Sequence, residues 1–113
     1  MSLVVDFAHS AGTGGLTVYF SIERVSDGYY FDISDSVFKT KGSIAGTNDH
    51  IAMTEDADEV GRYLKTQATT SPAQFTDGNY NCIIRNSAGD VLLGIHKKYL
   101  KDQEECFFRL NEI

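Results

Sequence analysis

Several groups of residues have side chains that could do chemistry. Gly12-Thr13-Gly14-Gly15 is rich enough in glycine to suggest a phosphate cradle. Such a cradle needs a following Lys-Ser/Thr pair and a helix whose first amides face the phosphates. No lysine follows here, and the chain from Leu16 alternates like a strand, so the segment reads as a linker. His9, His50 and His96 are widely separated and form no pair at helical ligand spacing. The short Cys or His pairs typical of zinc sites are missing as well. A Ser-His-Asp grouping is defined by space rather than chain order. Even so, no nucleophile sits in a strand-turn-helix elbow. The expectation is a chain that is not an enzyme, with no metal and no cofactor.

Glu55, Asp56, Asp58 and Glu59 offer the oxygen ligands that calcium prefers, but without the glycine and flanking helices of an EF-hand. They read as a solvated turn. The tyrosines are more informative. Tyr19 falls on the outward face of its strand, and Tyr29 and Tyr30 follow the adjacent turn. Exposed aromatic rings on a sheet can stack on sugars or anchor a protein interface. These three are therefore the candidate binding residues, with ordinary cross-strand pairing as the alternative. Cys82 and Cys106 could pair only with each other, and with no secretory signal they read as free thiols.

The elements that must position these residues are short. From Leu16, the side chains of Leu16, Val18, Phe20 and Ile22 fall on one face and those of Thr17, Tyr19, Ser21 and Glu23 on the other. A period of two marks a strand with one face in a core. Ser26-Asp27-Gly28 reads as a hairpin turn, because Asp-Gly supplies the positive φ that tight turns require. Further short runs follow at Tyr29 to Ile33, around Phe38, Ile51 to Thr54, Val60 to Thr66, Tyr80 to Arg85, Val91 to Leu100 and Cys106 to Ile113. Pro72 lies in the polar connection before Gly78. No segment shows convincing helical periodicity. This spacing of strands and turns is the pattern of a sandwich or barrel. The predicted fold is all-β, an immunoglobulin-like antiparallel β-sandwich of about 7–9 strands. Residues 1–15 are expected to form a flexible N-terminal arm and residues 16–113 a single sandwich domain.

One local match sharpens that prediction. Tyr80 stands two residues before Cys82, the spacing of the tyrosine corner of immunoglobulin-like sandwiches, where the hydroxyl bonds back to the upstream backbone. The chain has no tryptophan and no earlier partner cysteine, which excludes a disulfide-bonded immunoglobulin domain.

The 113 residues suit one domain, and the net charge is −6. Binding duplex nucleic acid relies on basic side chains that neutralise phosphates. The ten basic residues here are scattered except for Lys97, Lys98 and Lys101, which read as a guarded strand end. Nucleic-acid and membrane partners are therefore not expected, and no apolar run approaches the roughly 20 residues a spanning helix needs.

The order of three elements resembles the small β-sandwich structural proteins of tailed bacteriophages and prophages, in tails, necks and baseplates. The first is Leu16-Thr17-Val18-Tyr19-Phe20-Ser21-Ile22-Glu23-Arg24 followed by Ser26-Asp27-Gly28-Tyr29-Tyr30-Phe31. The second is Met53-Thr54-Glu55 leading to Gly61-Arg62-Tyr63. The third runs from Gly78-Asn79-Tyr80 through Ile83-Ile84-Arg85 to Gly89-Asp90 and Leu93-Gly94. The resemblance spans about Gly12 to Lys98. It implies a virion or prophage assembly module, located in a virion or the bacterial cytoplasm, with protein partners or copies of itself and no fixed catalytic residues. A carbohydrate-binding module using Tyr19, Tyr29 and Tyr30 is the alternative. The ending, Tyr99 to Ile113, departs from the resemblance by adding a strand that could pair with a neighbouring subunit.

Overall fold

A computed structural model describes residues 2–70 and 75–106. Of the strand expected from Cys106 to Ile113, residues 107–113 lie outside the described residues, as does Pro72 in the polar connection before Gly78. What is described is all-β, in two antiparallel sheets that pack as a sandwich. The smaller sheet has the order β1-β7-β6, with β1 Ser2–Ala8, β7 Arg62–Ala68 and β6 Thr54–Glu55. The larger has the order β10-β9-β8-β2-β3-β4. Its strands are β2 Val18–Arg24, β3 Tyr29–Asp32, β4 Val37–Lys39, β8 Gly78–Asn86, β9 Val91–Lys101 and β10 Glu104–Cys106, and β5 Ile51–Ala52 also pairs with β2. This division is more uneven than in an immunoglobulin domain, whose two sheets hold similar numbers of strands. Among the described residues there are ten strands rather than seven to nine, because β5 and β6 are separate two-residue pieces and β10 adds a further short one.

β2 is central and forms as its alternation dictates. Val18, Phe20 and Ile22 point inward and are at most 1% exposed, while Leu16, just before the strand, is partly buried. Asp27-Gly28 makes the turn into β3, with Gly28 at φ +74° and its amide donating to the Arg24 carbonyl at 2.8 Å. Facing β2 across the interior are Leu3, Val5 and Phe7 of β1 and Tyr63 of β7, all in the same apolar cluster. Residues 2–8, expected within a flexible arm, are thus a core strand paired along its whole length with β7, from Ser2↔Ala68 to Ala8↔Arg62. The reason is local: Leu3, Val5 and Phe7 alternate with Val4 and Asp6, and three inward apolar side chains outweigh the entropy of an arm.

Aromatic residues fill the opposite end of the interior. The rings of Phe31, Phe38, Phe75 and Tyr80 pack with centroids 5.1–5.8 Å apart. The Tyr80 hydroxyl leaves this cluster to donate to the Thr76 carbonyl at 2.7 Å, so the tyrosine corner expected from the sequence is present. Both cysteines are free, and burial pushes the Cys82 thiol up to about 12, where it behaves as a core hydrophobe. Glu105 of β10 closes the seam between sheets: one carboxylate oxygen accepts the Val4 amide at 2.9 Å, and the other lies 3.4 Å from the Lys98 ammonium. Among the described residues no helix is long and apolar enough to cross a membrane.

Candidate functional site

The three candidate tyrosines do not share a platform. Tyr19 points outward from β2 as its position requires, yet it is 6% exposed. The segment between β4 and β5 crosses that outer face and lays the His50 imidazole on the Tyr19 ring, 3.7 Å between centroids and 10° from parallel. The Tyr19 hydroxyl donates to Asp90 at 2.9 Å; burial, and then that carboxylate, pushes its pKa up to about 12. Tyr30 shares this face, opposite Glu23 in the ladder, with the Lys41 ammonium 5.0 Å from its ring centre. Tyr29 is its neighbour in the strand and points to the other side, where Arg24 lies 5.7 Å from its ring. Of the three rings, Tyr29 is exposed, Tyr30 is half-buried and Tyr19 is buried.

Beneath the crossing segment lies a polar cluster that no local pattern announces. Asp49 is 1% exposed; it accepts a hydrogen bond from Ser21 at 3.3 Å and from Lys41, and His50 Nε2 lies 3.7 Å from its other oxygen. Serine, histidine and aspartate are thus together, but in the wrong order for nucleophilic catalysis. A triad needs the hydroxyl on the imidazole and the carboxylate behind it. Here the hydroxyl donates to the carboxylate, and Ser21 is 0% exposed, beyond reach of a substrate. The cluster fastens the segment to the sheet.

The acidic turn also works on the protein itself. Both Glu55 oxygens accept backbone amides, from Gly15 and from Gly61, each at 2.9 Å. Asp56 accepts the Asp58 amide at 2.8 Å. Together with Gly14, Gly15, Ala57 and Val60 these residues line an open groove of about 500 Å³. Among the described residues no group of three or more His, Cys, Asp or Glu is gathered closely enough to hold a metal ion. His9 accepts the Ala11 amide on Nδ1, and its ring and that of His96 both lie against Phe7.

The amides of Gly61 and Gly15 hold the Glu55 carboxyl below its ordinary value. The unfolded chain then binds the extra proton first as pH falls. Glu55 thus contributes stability above its unfolded pKa of roughly 4.3 and loses it as pH drops through the lower folded value. Glu55→Gln, which can accept at only one of the two positions, is expected to lower the melting temperature at neutral pH and flatten its acid limb. Thermal melts between neutral and acid pH check this; parallel curves for the two proteins would contradict it.

The feature best suited to contact another molecule is an edge. Among the described residues β10 pairs only with Tyr99, Leu100 and Lys101 of β9. Val91–Lys98 therefore has β8 on one side and, among the described residues, no strand on the other. Leu92 is opposite Arg85 and Ile95 opposite Ile83, and these share the outer face with Tyr19 and Ser21. Leu92 and Ile95 are 54% and 49% exposed, with Val91 beside them at 54%. An open strand edge with apolar neighbours is a template for adding a further strand. The sequence showed the strand and its lysines, but not that its edge is open.

No family model matches the chain, and no curated protein or solved structure matches it.

Proposed function

We propose that this chain is a structural assembly module of a tailed-bacteriophage or prophage particle, joining protein neighbours through a sheet edge rather than transforming a substrate. The observation that carries the assembly reading is the Val91–Lys98 edge, with Val91, Leu92 and Ile95 exposed beside it. Main-chain hydrogen bonds along such an edge give affinity, and the flanking side chains give selectivity. The particle assignment rests on the resemblance of the segments around Leu16–Phe31, Met53–Tyr63 and Gly78–Gly94, and it places the protein in a virion or in the bacterial cytoplasm. A stiff sandwich suits this work, since Tyr80, Glu105 and Asp49 each tie one part of the framework to another. A sugar platform finds less support, because Tyr19 lies under His50 and Tyr29 and Tyr30 face opposite ways.

Sedimentation velocity over a wide concentration range tests the assembly reading. A discrete larger species is expected, burying at least roughly 1,000 Å² if the contact is specific. A monomer at every concentration, alone and mixed with the products of flanking genes, would count against it. The particle assignment has its own check: tail or capsid genes are expected on either side, and an unrelated metabolic cluster would remove it.

A further inference from the structure

The open edge of β9 is asymmetric in charge. Asp90 stands exposed immediately before it; its carboxylate accepts the neutral Tyr19 hydroxyl at 2.9 Å and makes no ion pair among the described residues. Lys97 stands near the other end, exposed and with no ion-pair partner among the described residues. Lys98 differs, being turned inward to Glu105. Between Asp90 and Lys97 lie the outward Leu92 and Ile95. A strand that is acidic at its start, apolar in its middle and basic at its end matches a copy of itself only when the copy runs the opposite way. A twofold axis through the middle then brings each Asp90 toward the other chain's Lys97 and lays the two apolar stretches together. A parallel arrangement would set like charges side by side.

Building on the assembly reading, we propose that the occupant of this edge is a second copy of the chain, its β9 antiparallel to the first. The larger sheet then continues across the twofold axis, and Leu92 and Ile95 of both copies form one apolar stripe on its outer face. Asp90 and Lys97 set the direction of pairing and exclude the parallel one.

The test uses the full chain, with the dimer dissociation constant from sedimentation equilibrium and hydrogen exchange of β9 amides. Ile95→Lys and Lys97→Asp are each expected to weaken the dimer about tenfold or more. Both positions are exposed, so the fold is kept. Exchanging the charges, Asp90→Lys with Lys97→Asp, is expected to restore most of the affinity that either single change removes. Those amides of Val91–Lys98 that face away from β8 gain protection as concentration rises. If a dimer persists with unaltered affinity in Ile95→Lys and Lys97→Asp, the β9 pairing is overturned while the assembly reading stands. Full protection of the edge at every concentration overturns it too, because another part of the same chain then occupies the edge. A wild-type chain that never associates with itself but joins a flanking gene product removes the self-pairing alone.

Discussion

Gly61→Ala is expected to destabilise the protein by about 2–4 kcal/mol, lowering its melting temperature by about 10–20 °C. Two effects add. Gly61 has φ +87°, a conformation that costs an L-residue about 1 kcal/mol or more. A methyl group there would also lie 2.7 Å from the Gly12 carbonyl carbon and 2.8 Å from its oxygen. Those atoms are backbone, held by the His9 amide on the Gly61 carbonyl and the Gly12 amide on the His9 carbonyl, each at 2.8 Å. They cannot yield as the end of a flexible side chain would. Gly15→Ala is the matched comparison: Gly15 has φ +74° with open space around its missing Cβ, so only the conformational part is expected. Thermal melts of the two variants separate the terms. Equal losses would mean that the close approach of Gly12 to Gly61 has no energetic weight.

That approach also explains what the sequence disclosed and what it concealed. The face of β2 was legible because Val18, Phe20 and Ile22 alternate, and alternation is set within the strand itself. The corner at Tyr80 was legible because its spacing to Cys82 is local, and its bond to Thr76 spans only four residues. β1 was missed although Leu3, Val5 and Phe7 alternate by the same rule, because the glycines after it suggested a flexible arm over residues 1–15. Gly14 has no room for a side chain, since a Cβ there would lie 2.6 Å from Glu55 and from Val60, while Gly12 and Gly15 take positive φ; the partners of this loop stand some forty to fifty residues away, and no local pattern announces them. Tyr19 shows the other limit. Its outward direction followed from the pattern, but what covers the outer face depends on a segment beginning some twenty residues later, fastened by Asp49 to Ser21. That Tyr29 and Tyr30 diverge was available from their adjacency alone, because neighbours in a strand point to opposite faces.

Tyr63 joins the two halves of this account, and truncating it is expected to be the most damaging single change. Its ring is 0% exposed within the core, and its hydroxyl donates to the Thr13 carbonyl at 3.0 Å and accepts the Leu16 amide at 3.1 Å. Tyr63→Phe keeps the ring and strips both bonds from the loop, an expected loss of about 1–3 kcal/mol. Tyr63→Ala adds a cavity, for which large-to-small core changes cost about 3–5 kcal/mol more. The sum approaches the whole stability of a domain this size, roughly 5–15 kcal/mol, so Tyr63→Ala is expected to be largely unfolded at 37 °C while Tyr63→Phe is folded. Urea titrations measure the difference; a Tyr63→Ala protein as stable as Tyr63→Phe would show that the ring does not carry the packing. Combining Tyr63→Phe with Gly61→Ala then asks whether the loop is one unit. Both changes act on the same stretch, at Thr13 and Leu16 in one case and at Gly12 in the other. Once either has released it, the second has less left to disrupt. The double variant is therefore expected to lose less than the two single losses added together, whereas strict additivity would mean that the glycine contact and the tyrosine bonds hold the loop independently.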